Sequence, residues 1–334
     1  MRIGLAGVGR IGAFHADTLR SLDAVDQLVV ADVDVARAQQ VAAERGLEWV
    51  ATTEELLDAG LDALVIATAT PGHAPLLRAG VAKGLATFCE KPVASTLDET
   101  IELTRLVAES DVPVHVGFQR RFDRGYRRAR EVVASGELGF VHTIVANTRD
   151  SAPPHAAYVP TSGGIFRDCN VHDFDIIRFV TGREVGSVYA TGSNKGASFF
   201  SDAGDVDTGA ALLTLDDGTL AQVSSTRYNG AGHDVRMEVL GERGAVAVGL
   251  DDSLALRSVE DGVDFPHGPV TMSFMERFLP AYRAELTAFF DVAARRVPSP
   301  CTLEDALQAF RVAEACEVSR AERRVVDLTE IKGA

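Results

Sequence analysis

Three groups of residues in this sequence have types and spacings that suit chemistry. The first is Gly7-Val8-Gly9-Arg10-Ile11-Gly12, a G-x-G-x-x-G placed between a β-like run and a helical pattern, with Asp32 twenty residues past Gly12. A glycine loop in that context turns free backbone N–H groups and the positive end of a helix toward a pyrophosphate. Gly7 permits the tight turn, Gly9 lets the backbone approach the phosphates, and Gly12 allows close helix–strand packing. A carboxylate at the end of the second strand accepts hydrogen bonds from both adenosine ribose hydroxyls and repels a 2′-phosphate. Val33 and Asp34 add no cation, so NAD is favoured over NADP, although Arg37 keeps the second cofactor open. The bland alternative is a turn followed by a surface aspartate.

The second group is Cys89-Glu90-Lys91-Pro92 at the end of another strand. Ligands of open α/β sheets bind beyond the carboxyl ends of strands, which aims Lys91 at the cofactor. A lysine beside an oxidised, positive nicotinamide is disfavoured in its charged form and becomes usable for proton traffic. Pro92 would stiffen the turn, through a cis bond in one version of it. The third group lies in Gly163-Gly164-Ile165-Phe166-Arg167-Asp168-Cys169-Asn170-Val171-His172-Asp173. Asp168 and His172 are four apart, so on a helix they share a face and can take a hydroxyl proton as hydride leaves the same carbon. Taken singly, Lys91 suits a solvated strand end and the Asp/His pair a helix-surface contact. Asp173 and Asp175 are expected to face solvent or cap the helix.

These groups need a scaffold that brings strand ends together. Strand-like runs at Arg2–Ala6, Leu28–Ala31, Ala63–Ala67, Thr87–Cys89 and Val114–Val116 alternate with helical patterns near Ile11–Leu19, Val35–Arg45, Pro75–Lys83 and Leu97–Glu109. That alternation predicts βαβ units and a doubly wound parallel sheet. Beyond residue 120 one helix, Gly125–Ser135, precedes the runs Val141–Asn147, Val185–Gly192, Thr208–Leu215, Thr219–Thr226, Asp234–Leu240 and Ala245–Gly249. Tight-turn residues between them predict a large, mostly antiparallel open sheet with a helix around Ile176 on one face. The tail returns to helix at Ala281–Ala293 and Leu303–Ala321, the latter capped by Thr302. The expected organisation is an α/β domain over 1–120, an α+β domain over 121–275, and helices over 276–334 returning toward the first domain.

Composition bounds the remaining possibilities. The 334 residues carry 33 basic and 48 acidic side chains, for a net charge of −15, with no basic stripe to neutralise phosphates. Nucleic acid is therefore excluded as a partner, and phosphorylated substrates are disfavoured. No apolar run approaches the roughly 20 residues that span a bilayer, so no membrane is expected. Cys89, Cys169, Cys301 and Cys316 lack paired spacing and read as reduced cytoplasmic thiols, with no disulfide framework and no metal cluster.

Glycine loop, strand-end aspartate, Glu-Lys-Pro and the Asp-x-x-x-His helix, in this order, resemble the Gfo/Idh/MocA oxidoreductase family across nearly the whole chain. Gly117-Phe118-Gln119-Arg120-Arg121-Phe122-Asp123 and His172-Asp173-Phe174-Asp175 are similar to its inositol-oxidising branch. The resemblance implies a Rossmann domain that binds NAD and an enzyme that oxidises a ring hydroxyl of a cyclitol or sugar, without metal. It implies Lys91, Asp168 and His172 as the catalytic triad and Arg120 near the substrate. Gly7, Gly9, Arg10, Ile11, Gly12, Asp32, Thr70, His73, Glu90 and Lys91 would contact the cofactor, and Asn147, His155 and Tyr228 are further pocket candidates. Arg124, Arg127, Arg128 and Arg130 read as a solvated helix face. A homotetramer is implied too. Cys169-Asn170 and the loop Asn147–Thr161 depart from the family pattern and leave the substrate open, with another sugar or an anhydrosugar as alternatives. An NAD-dependent glycoside hydrolase and a non-catalytic sensor are the rival readings; a sensor would have lost one of the triad, which this chain keeps.

Overall fold

The apolar runs of the first third become parallel strands because both their faces are covered. In the computed structural model, which describes residues 1–333, they form β1 (Arg2–Ala6), β2 (Gln27–Ala31), β3 (Glu48–Trp49), β4 (Ala63–Ile66), β5 (Ala86–Glu90) and β6 (Val114–Gly117). Between them run α1 (Arg10–Arg20), α2 (Val35–Arg45), α3 (Thr53–Leu57), α4 (His73–Ala82) and α5 (Leu97–Ala108). Every residue of β4 and β5 is buried, as expected of parallel strands sandwiched between helices. The strand order is β3-β2-β1-β4-β5-β6, so it reverses between β1 and β4, the switch point where open α/β sheets bind ligands. Ala31, Ala6, Ile66 and Cys89 lie side by side in register across four strands. Asp32, Gly7, Ala67 and Glu90 follow directly, so the sheet delivers its candidate residues to one edge.

The second sheet is mixed. After α6 (Arg124–Ala134) come β7 (Val141–Arg149), α7 (Val171–Thr181), β8 (Val185–Ser193), α8 (Phe199–Asp202), β9 (Thr208–Leu215), β10 (Leu220–Thr226), β11 (Asp234–Gly241) and β12 (Gly244–Val248). With β13 (Val326–Asp327) they form the order β12-β11-β7-β10-β9-β8-β13, antiparallel except for the β7–β10 pair. Alternation buries Ile144, Ala146, Leu213, Val223 and Met237 on the face that carries α7, and leaves Tyr189, Leu212 and Leu220 part-exposed on the other.

The chain divides into two compact units: Met1–Gln119 with Ala281–Leu307, and Arg120–Pro280 with Gln308–Lys332. The boundary falls inside both terminal helices, α9 (Phe274–Ala293) and α10 (Leu303–Glu322). Leu286, Phe289, Phe290 and Val292 of α9 belong to the hydrophobic core of the first unit, with Ile3, Leu5, Val30, Val65 and Phe88. Where the sequence suggested a start at Ala281, α9 begins at Phe274 and runs through Pro280, because Phe278, Ala281 and Tyr282 continue one buried stripe. Thr302 and Asp305 exchange capping hydrogen bonds at the start of α10 (3.2 and 2.9 Å). All four cysteines are buried as thiols. Among the described residues, no helix is long and apolar enough to cross a membrane.

Candidate active site

The first unit holds a dinucleotide cradle. Gly7 has φ +91°, and a Cβ there would sit 2.6 Å from the carbonyl oxygen of Ala67. At Gly12 a Cβ would lie 2.0 Å from the Gly7 oxygen, so only glycine lets α1 start this close to the turn. At Gly9 a Cβ would meet nothing within 4 Å: this stretch of backbone faces open space, and no side chain caps the helix it begins. Arg10 is exposed and Ile11 leans on the core. Asp32 is buried; its Oδ2 accepts the Val8 N–H (2.8 Å) and its Oδ1 the Asp34 N–H (2.9 Å), which ties the end of β2 to the glycine loop. Arg37 lies 3.2 Å from Asp34 and 3.6 Å from Asp32. The cation that kept a 2′-phosphate open is thus engaged by two carboxylates. Loop, helix terminus and carboxylate fit NAD.

Two candidates of this unit are struts. His73 is buried, with Nδ1 2.7 Å from the Pro92 oxygen and Nε2 2.9 Å from the Thr68 oxygen, so it fastens the turn after Lys91 to the loop after β4. Both ring nitrogens lie within hydrogen-bond distance of a carbonyl oxygen. Glu90 points under the sheet edge, its Oε1 2.6 Å from His15 Nε2. Thr70 opens a 3₁₀ turn ahead of α4. Lys91, half-buried at the end of β5, is joined to Pro92 by a cis bond.

The second unit presents Asp168 and His172. Residues Phe166–Asn170 form a π-turn that runs into α7, a local widening common at functional sites. Asp168 and His172 stay partly accessible while Cys169, Asn170, Val171 and the five residues after His172 are buried. Asp168 is clamped: Oδ2 accepts from Arg227 Nη2 (2.6 Å) and Oδ1 from the Tyr158 hydroxyl (3.0 Å). Desolvation, and then the Asp168 carboxylate, hold the Tyr158 hydroxyl well above its ordinary pKa, so it stays a donor. The buried Arg227 also donates through Nη1 to Asp150 Oδ2 (2.9 Å). His233 Nδ1 lies 3.6 Å from Asp150, yet burial, assisted by Arg120, lowers its pKa to about 4, so the ring is neutral near pH 7.

The other pocket candidates are held by contacts within the second unit. Arg120 is 3% exposed and donates to Asp173 (2.6 Å) and Thr148 (2.9 Å), holding α7 from within the unit. Asp173 and Asp175, expected at the surface, are buried on Arg120 and Arg121, because a cation buried nearby needs a carboxylate more than the helix needs a cap. Asn147 alternates with Thr148 and so faces away from α7, where Ser224 and Arg149 donate to its oxygen. The Tyr228 hydroxyl accepts from the Ala197 N–H, with the ring edge-on to Phe200. Exposed His155 accepts from the Ala157 N–H through Nδ1 (3.2 Å). Sequence reasoning missed Asp150, Tyr158, Arg227 and His233. For Arg227 a signal existed: it extends the inward series Ala221, Val223, Ser225 on β10, where a charge needs a purpose.

Residues 1–118 match the description "Oxidoreductase family, NAD-binding Rossmann fold", and residues 126–247 match the "GFO/IDH/MocA C-terminal domain". The chain belongs to the Gfo/Idh/MocA family of oxidoreductases. It is an NAD-dependent dehydrogenase by the fold and cofactor domain that these matches define. Among its relatives, a myo-inositol 2-dehydrogenase of Thermotoga maritima is 33% identical over 100% of both chains. A myo-inositol dehydrogenase of Streptomyces leeuwenhoekii is 38% identical over 96% of this chain and 97% of its own. The crystal structure of a scyllo-inositol dehydrogenase from Lactobacillus casei with bound NAD(H) and scyllo-inositol is similar with TM-score 0.89 and 27% identity, covering 98% of this chain and 99% of that one.

Proposed function

We propose that this enzyme oxidises one ring hydroxyl of a cyclitol, myo-inositol or an isomer ahead of other sugars, in the manner of a myo-inositol 2-dehydrogenase. The observation that carries the reading is the accessible Asp168–His172 pair, with Asp168 fixed by Tyr158 and Arg227 in a chain that also sets Lys91 at the edge of a dinucleotide cradle. Bound NAD⁺ supplies the hydride acceptor, its phosphates on the Gly7–Gly12 loop and its adenosine ribose on Asp32. His172 accepts the proton of the reacting hydroxyl at a ring nitrogen. Asp168 orients that hydroxyl and stabilises the imidazolium that forms, while two donors keep its carboxylate in place. Lys91 Nζ hydrogen-bonds the same oxygen and stabilises the negative charge that develops there. The lysine and histidine can exchange these roles, and either way they contribute by placement and by matched protonation.

The outer face of the second sheet, with Tyr189, Leu212 and Leu220 part-exposed, supports a further reading: copies of this chain cover it in a homotetramer. Light scattering gives the subunit number directly.

The functional test is NADH formation by the purified protein with NAD⁺ or NADP⁺ and a panel of inositols, aldoses and anhydrosugars. One polyol should reduce NAD⁺. Lys91→Ala should lower that rate by about 10²–10⁴-fold while NAD⁺ binding persists. Silence across the panel overturns the reading, and glycoside cleavage without net NADH would replace it with a hydrolase.

A further inference from the structure

One guanidinium joins the proposed catalytic carboxylate to a second acid that the reaction itself does not require. Arg227 is 4% exposed and spans Asp150 Oδ2 through Nη1 and Asp168 Oδ2 through Nη2. The planar fork fixes its two ends relative to one another, so it sets the two carboxylates a constant distance apart. Both remain reachable: the side chains of Asp150 and Asp168 are 25% and 14% exposed. Asp150 retains accepting capacity. Its Oδ1 lies 3.6 Å from His233 Nδ1, beyond hydrogen-bond range, and its Oδ2 takes only the long Cys169 thiol contact (3.7 Å) besides Arg227. One guanidinium thus faces two carboxylates.

We propose that Asp150 is a substrate-binding residue that accepts a hydrogen bond from a second ring hydroxyl, and that Arg227 is the positioning residue that sets Asp150 and Asp168 in register for one polyol. The inference rests on the cyclitol-oxidising reading and adds a substrate class: an uncharged ring with a free hydroxyl beside or across from the reacting carbon. Two carboxylates placed to accept hydroxyl protons disfavour a carboxylate or phosphate beside them, so sugar acids and sugar phosphates should be poor substrates.

Steady-state kinetics of the full-length enzyme with NAD⁺ test this, using the best cyclitol and its mono-deoxy analogues. Asp150→Asn should raise KM by about 10–100-fold with kcat changed much less, as expected for losing a hydrogen bond to a charged acceptor. One deoxy analogue should lose equally with the parent enzyme and show no further loss with Asp150→Asn. Arg227→Met should lower kcat as well, through Asp168, and Arg227→Lys should recover part of kcat but not the analogue discrimination, since an ammonium lacks the fork. NAD⁺ binding by each variant reports that the first unit is intact. A purely structural role predicts lower thermal stability with the parent's ranking of analogues; that ranking in Asp150→Asn overturns the proposal. Absence of activity in the parent enzyme with every cyclic polyol overturns it together with the reading beneath it, so the two failures are distinct.

Discussion

Replacing Arg120 with methionine distinguishes a residue that touches substrate from one that holds α7 in place. Its guanidinium donates to Asp173 at 2.6 Å and Thr148 at 2.9 Å and lies 5.8 Å from the centre of the Phe278 ring. Asp173 is 1% exposed. Without Arg120 it would keep two neutral donors, the Thr148 hydroxyl (2.8 Å) and the Asn170 amide (2.8 Å), and lose its buried cation. Removing one partner of a buried ion pair costs about 3–5 kcal/mol, and the surviving donors place this case near the lower value. In a chain of this size that lowers the melting temperature by about 4–5 °C. Methionine fills most of the stem's volume, so little of the loss comes from a cavity. The double variant Arg120→Met/Asp173→Leu removes the stranded charge and should recover more than half of the loss. Thermal and urea unfolding by circular dichroism measure both, with KM for the cyclitol measured alongside. A melting temperature within about 2 °C of the parent's, together with a raised KM, would refute the strut and return Arg120 to the substrate.

Acid stability carries a second prediction. His233, ordinarily 6.5, is lowered to about 4 in the folded chain, so the unfolded chain binds this proton first as pH falls. Its contribution of about 3 kcal/mol is present above pH 6.5 and is lost between there and about pH 4. His233→Gln should flatten that limb relative to the parent in urea titrations at stepped pH; an unchanged slope between pH 6.5 and 4.5 would show that the imidazole is not held neutral. For cofactor choice, Asp32→Ala removes the proposed ribose acceptor and one of the two carboxylates beside Arg37, so the ratio of kcat/KM for NADP⁺ over NAD⁺ should rise by about tenfold or more. An unmoved ratio would mean that the carboxylate serves only the Val8 and Asp34 amides.

The first unit was legible because its information is local. A glycine loop, a strand end and a helix start lie within one βαβ, and Asp32 follows by a fixed count. Helix ends were legible where capping chemistry marked them, as at Thr302, and missed where a buried stripe overrode a proline, as at Pro280. The second unit resisted because its polar residues are chosen by pairing across the fold. Nothing near Arg120 in sequence reveals that Asp173 neutralises it, and nothing near Asp168 points to Arg227, fifty-nine residues on. For Asn147 the strand period predicts a face opposite to that of Thr148, but not which of the two faces α7 covers.

The division of α9 between the units has a consequence for biosynthesis. The glycine loop, Asp32 and Lys91 emerge from the ribosome early, but Leu286, Phe289, Phe290 and Val292, which complete the core beneath that sheet, are translated after nearly all of the second unit. The sheet of the nucleotide cradle therefore waits with part of its apolar core uncovered, the condition in which nascent chains engage chaperones. A chain stalled after Pro280 should be held by them, whereas one extended past Leu307 should be released.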